Sequence, residues 1–215
     1  EYWPLHIVEL QPVGTDSAEI VWEWHLWDHL IQDHDPTRDN YGAVREHPEL
    51  VDLNFLPPQG GFSGADWLHT NAIDYNPLRD EILISARDLS EILIIDHSTT
   101  STEAAGHTGG RSGRGGDLLY RWGNPQSYRR QGPEAQRFFL QHDARWIPPG
   151  HPRAGQIMVF NNGRNRPDGF YSSVDIISPP LDADGRYQLD PGKIYGPAEL
   201  AWTYPADPQD GFYSG

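Results

Sequence analysis

Residues 66–96 read DWLHTNAIDYNPLRDEILISARDLSEILIID, and this stretch decides the fold. It contains three short apolar runs, beginning at His69, Glu81 and Ser90, which are separated by turns rich in Asn, Pro, Asp and Arg. A fourth run, DLLYRW, follows at residues 117–122. Four short strands punctuated by turn residues are typical of one blade of a β-propeller.

The same order of runs returns about seventy residues later, a spacing that indicates a structural repeat. The second copy opens at His142 with HDARWI, continues with QIMVF at 156–160 and a run from Ser173, and closes with ELAWTY at 199–204. The sequence therefore predicts an all-β propeller with two complete blades, over residues 67–123 and 138–205. His69 and His142 begin equivalent strands in this alignment, so we expect both imidazoles to face a central channel.

Two partial blades flank the complete ones. Residues 5–10 (LHIVEL) and 18–24 (AEIVWEW) predict a strand, a tight turn and a strand, and we assign residues 1–24 to the last two strands of another blade. The ending DGFYSG resembles GGFSG at 60–64, so residues 206–215 are interpreted as the start of a further blade. Propellers close with about four to eight blades. We therefore expect the remaining blades to come from a longer polypeptide or from another chain.

Residues 25–66 form a predicted insertion. Apolar residues at helical spacing between positions 26 and 31 predict a short helix, followed by a polar loop. Oxygen-bearing side chains at 33, 35, 37 and 39 resemble the opening of a calcium loop. Arg38 stands where such a loop needs Gly, and Val44 where it needs Glu. A solvated acidic loop is therefore favoured over a calcium site.

Residues 98–116, STTSTEAAGHTGGRSGRGG, form a second insertion. Its glycines, with His107 and Arg111, are compatible with a backbone nest for an oxyanion. A flexible connection between two strands is the favoured interpretation.

Composition and charge exclude several classes of protein. Among 215 residues, 16 are Lys or Arg and 31 are Asp or Glu, which gives a net charge of −15 and disfavours binding to nucleic acid. Cysteine is absent, so disulfides, thiolate metal sites and cysteine nucleophiles are excluded. No apolar run reaches the roughly eighteen residues that a membrane span requires.

Seven runs in order resemble the arylsulfotransferase family, the PAPS-independent aryl-sulfate sulfotransferases: WPLHIVEL, EIVWEWHLWDHLIQDHD, DWLHTNAIDY, ISARDLSEILIIDHSTT, GGDLLYRWGNP, FFLQHDARWIP and VFNNGRNRP. The resemblance covers essentially the whole chain. It implies a six-bladed β-propeller that moves a sulfuryl group from a phenolic sulfate ester to a phenol through a histidine intermediate, with no cofactor and no metal. It also favours a periplasmic or extracellular location.

The resemblance carries site residues onto this sequence. His69, His142 and Arg164 correspond to catalytic residues of the family, and Arg166 is an alternate register for Arg164. The substrate-binding residues that we assign are Arg87, Asn71, Asn162 and Arg166. The family's nucleophilic histidine lies on a later blade, which we place beyond residue 215. Imidazole and guanidinium groups suit this chemistry because sulfuryl transfer, like phosphoryl transfer, spreads negative charge over three oxygens.

Two alternatives stay open. One is a non-catalytic propeller that binds or scaffolds after losing the nucleophile. The other is a metal-dependent lyase or hydrolase that uses His69, His142 and Asp143 as ligands. The remaining histidines, at 6, 25, 29, 34, 47, 97 and 151, are interpreted as surface or structural residues. Three tryptophans are predicted to pack between blades: Trp22, Trp122 and Trp202.

Overall fold

A computed structural model describes residues 3–55 and 65–205, which form an all-β protein with almost no helix. The chain begins with an antiparallel hairpin of β1 (His6–Val13) and β2 (Ser17–His25). The turn between the two strands contains Gly14 at φ +69°, a conformation that glycine adopts without strain. The all-β prediction is confirmed, and the predicted strand-turn-strand at this end is present.

Two antiparallel sheets of four strands each make up most of the fold. The first contains, in spatial order, β5 (Thr70–Asn76), β6 (Glu81–Ala86), β7 (Glu91–Asp96) and β8 (Tyr120–Trp122). The second contains β9 (His142–Trp146), β10 (Ile157–Asn161), β11 (Ser173–Ile177) and β12 (Trp202–Pro205). The described strands do not close into a barrel or a ring, so the propeller and its number of blades stay a prediction.

The segment predicted as a short helix and loop is instead folded into turns and a small sheet. A 3₁₀ turn at Leu26–His29 leads directly into β3 (Leu30–Ile31), which pairs in parallel with β4 (Val51–Asp52), and a second 3₁₀ turn lies at Val44–Glu46. The predicted short helix is present as a single 3₁₀ turn, which ends because the chain enters strand pairing. Leu30 pairs with Val51, and the Gln32 amide donates to the carbonyl of Asn40 at 3.0 Å.

The acidic loop at 33–39 uses its own side chains to close. The Asp35 carboxylate accepts hydrogen bonds from the Thr37 hydroxyl at 2.7 Å and amide at 3.0 Å, and these bonds lower its pKa. The Asp33 carboxylate is bound by Arg129. Protein donors therefore already occupy two of the three carboxylates that the sequence offered for calcium, those of Asp33 and Asp35.

The glycine-rich insertion at 98–116 is packed against the fold. It contains α1 (Ser101–Ala104), whose capping box joins Thr100 and Glu103, and the Ser101 hydroxyl accepts from the Glu23 amide at 3.2 Å. The amide of Ser112 donates to the Asp96 carboxylate at 2.9 Å, so this part of the predicted nest binds a protein carboxylate. The expectation of a flexible connection was wrong because the glycines permit close backbone approach.

Strands β6 and β7 are buried on both faces, which explains their continuous apolar sequences. Alternate residues serve two different cores: Ile82 and Ile84 pack towards the hairpin, while Leu83 packs towards the second sheet. Trp22 and Trp122 are buried as predicted, at 4% and 5% exposure. Trp202 is 42% exposed, because it lies on β12, the edge strand of its sheet.

A charged pair lies inside the apolar core. Arg121 and Glu91 both have fully buried side chains, and the Arg121 guanidinium binds both carboxylate oxygens of Glu91. Arg121 also donates to the carbonyl of Leu50 at 2.8 Å and to the hydroxyl of Ser127 at 2.9 Å. The arginine thereby joins β7 and β8 to the segment that precedes the first sheet.

No helix in the described ranges is long and apolar enough to cross a lipid bilayer.

Candidate active site

The site forms where the first strands of the two four-stranded sheets meet. The amide of the Asn71 side chain donates to the Gln141 carbonyl at 2.9 Å, and the Trp146 amide donates to the Asp74 carboxylate at 2.8 Å. The Gln141 side chain donates to the Glu91 carbonyl at 2.8 Å. These bonds fix the start of β9 against β5 and against the turn between β6 and β7.

His142 opens β9, and its surroundings define its tautomer. Its Nδ1 lies 3.2 Å from the Leu140 carbonyl oxygen and 3.0 Å from the Asn162 Oδ1. A carbonyl oxygen can only accept, so Nδ1 carries the proton and the neutral ring has its lone pair on Nε2. Burial lowers the pKa of His142, and the positive charges of Arg87 and His69 lower it further. The imidazole is therefore neutral at physiological pH.

His69 lies one residue before β5, with a left-handed backbone conformation at φ 44°. Its Nδ1 is 2.6 Å from a carboxylate oxygen of Asp66, and its carbonyl accepts from the Arg87 amide at 3.3 Å. Asp66 was missed in the sequence, although a carboxylate three residues before a histidine is a visible signal. The Asp66 carboxylate orients the His69 ring in the way that acid–base triads orient theirs.

Strand register shows that the two histidines do not occupy identical positions. In the first sheet Thr70 pairs with Ala86 before a bulge at Asn71, so His69 lies just outside the strand pairing. In the second sheet His142 itself pairs with Phe160, and a bulge follows it. Both histidines therefore lie at the start of the first strand of their sheet, close to a β-bulge.

Hydrogen bonds bring His69, Arg87 and His142 close together. The Arg87 amide donates to the His69 carbonyl, and the Asn71 side chain donates to the carbonyl of Gln141, which directly precedes His142. Arg87 follows β6 directly, is 6% exposed and donates from Nη1 to the Asp88 carboxylate at 2.7 Å. Nearby, the Oδ1 of Asn71 and the hydroxyl of Thr70 are buried without a hydrogen-bond partner among the described residues. Such groups are available to bind a ligand.

The two arginines of the NNGRNR run differ in placement. Arg164 is exposed, and the structure gives it no hydrogen bond or ion pair within the described ranges. Arg166 turns inward: its guanidinium contacts the Ser173 hydroxyl and lies over the Tyr171 ring at 4.4 Å. Its Nε is buried without a partner among the described residues. Arg166 is therefore better placed than Arg164 to bind an anion inside the fold, although the structure shows no direct contact between Arg166 and His142.

The structure thus brings together His69, Asn71, Arg87, His142 and Asn162, and leaves Arg164 outside this group. Gln141, which ties the strands together, was missed although it directly precedes His142.

Metal-ligating side chains converge elsewhere. Of the ligands considered for a metal at the two histidines, Asp143 is exposed and accepts from Arg145 Nε at 2.6 Å. Within residues 3–55 and 65–205, two other groups bring three ligand atoms within 4.8 Å of one another: His6 with Glu23 and His25, and His29 with His107 and Asp117.

Comparison with known proteins identifies the family. The family model described as Arylsulfotransferase (ASST) matches residues 6–178, which include the hairpin, the whole first sheet and three strands of the second. A search of curated proteins finds no match to the chain. Because the matched region covers most of the sequence and includes the clustered histidines, the chain belongs to the arylsulfotransferase (ASST) family.

Proposed function

We propose that this protein transfers a sulfuryl group from a phenolic sulfate ester to a phenol, at the junction of β5 and β9. Family membership supports an aryl sulfotransferase-like function. The observation that carries the proposal is His142, a neutral imidazole whose pKa is lowered by burial and by the neighbouring Arg87 and His69. The Arg87 guanidinium is suited to attract the sulfate group of the substrate.

Each residue has a role in the proposed reaction. Arg87 stabilises the negative charge that accumulates on the three sulfuryl oxygens. His69, oriented by Asp66, delivers a proton to the phenolic oxygen as its bond to sulfur breaks. The Nε2 lone pair of His142 accepts the proton of the attacking phenol when the sulfuryl group moves on. Asn71 and Asn162 position the substrate and the His142 ring.

The sulfuryl group is carried between donor and acceptor on a histidine nitrogen, which forms an N–S bond as the donor S–O bond breaks. We place this nucleophile outside residues 1–215, on a later blade. The surrounding fold that we propose is a six-bladed propeller, with the remaining blades from the same or another chain. Two four-stranded antiparallel sheets with adjacent first strands support this architecture. A periplasmic or extracellular location belongs to the same proposal.

The experiment compares His142→Gln with His151→Gln in the protein supplied with phenyl sulfate and a phenol acceptor. Loss of a proton-transfer group lowers rates by about 10²- to 10⁴-fold, so His142→Gln should lose at least a hundredfold in transfer. The exposed His151 serves as the matched control and should behave as wild type. Transfer at the wild-type rate in His142→Gln would contradict the proposed site.

Mass analysis of the sulfated intermediate locates the nucleophile. A histidine adduct outside residues 1–215 is expected. An adduct on His142 itself would identify His142 as the nucleophile instead. That outcome is chemically feasible because the lone pair on the neutral Nε2 of His142 can attack sulfur. If the wild-type protein binds phenyl sulfate but neither releases phenol nor forms an adduct, the non-catalytic alternative is correct.

A further inference from the structure

A second cluster of imidazoles and carboxylate lies beside the first core and shares no residue with the sulfuryl-transfer site. His29 follows β2, Asp117 precedes β8, and His107 lies on the glycine-rich insertion. The Nδ1 atoms of both histidines approach the same Asp117 carboxylate oxygen, at 2.9 Å from His29 and 2.8 Å from His107. We propose that His29, His107 and Asp117 bind a divalent transition-metal ion, with zinc as the representative species.

The tautomer of His29 is the first argument. Its Nε2 lies 2.8 Å from the carbonyl oxygen of Ala104, which can only accept, so Nε2 carries a proton. A neutral His29 therefore directs its Nδ1 lone pair at a carboxylate oxygen of Asp117, and the two acceptors repel each other. Either an additional proton or a cation must lie between these atoms.

The second argument is that the His29 ring has the environment of a metal ligand. Histidines that bind metals usually donate their other ring N–H to a carbonyl or carboxylate, which fixes the tautomer and the ring orientation. The Ala104 carbonyl provides this contact, and the indole of Trp24 stacks on His29 at 5.4 Å with an interplanar angle of 2°. The His29 side chain is fully buried.

The backbone around the cluster leaves no room for a side chain at Gly116. A Cβ on that residue would lie 2.0 Å from the Ala104 carbonyl oxygen and 2.6 Å from His29 Nε2. The Gly116 carbonyl in turn accepts from the Trp24 indole at 2.8 Å. The chain therefore brings Asp117 against His29 through a close backbone approach that only glycine allows.

The distances suit a transition metal. Ligand atoms about 2.1 Å from one zinc ion lie about 3.0–3.4 Å apart at bond angles of 90–109°, so the two nitrogen–oxygen distances of 2.9 and 2.8 Å to Asp117 would lengthen by a few tenths of an ångström when the ion binds. Two imidazoles with one carboxylate favour zinc and its neighbours in the first row, whereas calcium and magnesium prefer all-oxygen sites. The side chain of His107 is 60% exposed, which leaves the ion accessible to water.

The second candidate group, His6 with Glu23 and His25, lacks these supports. Its histidine side chains are 39% and 41% exposed and stack on each other at 3.8 Å. As in the cluster around His29, one nitrogen of each ring approaches the same carboxylate oxygen, here of Glu23. Among the described contacts, however, no buried backbone carbonyl accepts from the other ring nitrogen of either histidine. It therefore serves as the internal control.

The test is titration of the metal-stripped protein with zinc chloride, followed by calorimetry and elemental analysis. We expect one tightly bound zinc per chain and a higher midpoint of thermal unfolding with zinc, because ligands that bind only the folded state stabilise it. Loss of outer-shell partners weakens metal affinity about 10- to 100-fold. Loss of a direct ligand in His107→Ala should weaken it by at least the upper figure, and this exposed position leaves the fold intact.

His6→Ala, which removes a ligand of the other group, should bind zinc as wild type does. His29→Gln should also lose binding, with far-ultraviolet circular dichroism used to confirm that this buried variant folds. The proposal is overturned if the wild type binds no zinc, because an imidazolium–carboxylate pair would then account for the short contact. Zinc binding that survives His107→Ala and disappears in His6→Ala, or binding of calcium in preference to zinc, would also overturn it.

Discussion

Removal of Arg121 should cause one of the largest losses of stability in the chain. Arg121→Met deletes a fully buried guanidinium that binds Glu91 through two nitrogen atoms and stacks over Tyr128 at 4.6 Å. The carboxylate of Glu91 then stays in the core without its counter-charge. Breaking a buried pair in this way costs about 3–5 kcal/mol, against a total of about 5–15 kcal/mol for a domain.

Chemical denaturation of Arg121→Met, Glu91→Met and the double variant measures this cost as a cycle. The double variant should be more stable than Arg121→Met, because it no longer buries an uncompensated charge. It should still fall below wild type, because the Leu50 carbonyl and the Ser127 hydroxyl lose a donor. A loss below about 1 kcal/mol in Arg121→Met would refute the reasoning, since a buried unpaired charge costs several times more.

The pH dependence gives a second readout of the same variant. Burial raises the pKa of Glu91 in the folded state, and removal of Arg121 raises it further because the compensating positive charge is lost. A raised folded-state pKa supports folding at low pH, and this support is lost as pH rises through that pKa. The deficit of Arg121→Met relative to wild type should therefore be smaller near pH 4.5 than near pH 7.5, measured at both values.

Three further outcomes are expected. Gly163→Ala places a Cβ 1.7 Å from the Tyr171 carbonyl oxygen, whereas Gly150→Ala meets nothing within 4 Å, and both residues have positive φ, at +71° and +87°. Gly163→Ala should lower the midpoint of unfolding well beyond Gly150→Ala, and equal midpoints would contradict the described packing. Gln141→Leu removes the donor to the Glu91 carbonyl and should cost about 1–3 kcal/mol in denaturant unfolding; no loss would mean that the carbonyl finds another donor. The proposed transfer needs neutral His142, and the pKa of His142 is lowered. The transfer rate should therefore stay constant as pH falls through the ordinary histidine range and decline only below it. A decline of the rate at higher pH would show that His142 is not the proton acceptor.

Periodicity predicted the parts of the fold that are made from continuous apolar strands. EILISA and EILIID have the sequence of strands buried on both faces, and both are such strands. Periodicity did not predict the length of a helix that is ended by backbone hydrogen bonds to another segment. Leu26–His29 has helical spacing yet forms one 3₁₀ turn, because pairing of the next residues ends it.

The sequence indicated several residues of the candidate site but not how they are arranged. The sequence indicated His69, His142, Arg87, Asn71 and Asn162, which the structure brings together. It did not indicate that His142 is paired within its strand whereas His69 lies just before its strand, because strand register at a bulge is invisible in the apolar pattern. His107 lies ten positions before Asp117, but His29 lies 88 positions before it, so no local spacing could reveal the cluster.

The position of His142 depends on the neighbouring sheet more than on its own. Gln141 precedes it and is fully buried, with a backbone carbonyl held by Asn71 and a side chain held by the Glu91 carbonyl. Glu91 is fixed in turn by the core pair with Arg121. A side chain whose backbone is tied on both sides loses little further freedom when a substrate binds, which is the condition for a preorganised site. A buried ion pair contributes little net stability by itself. Its connection through Gln141 to His142 gives it a second role, as the support of the backbone at the candidate site.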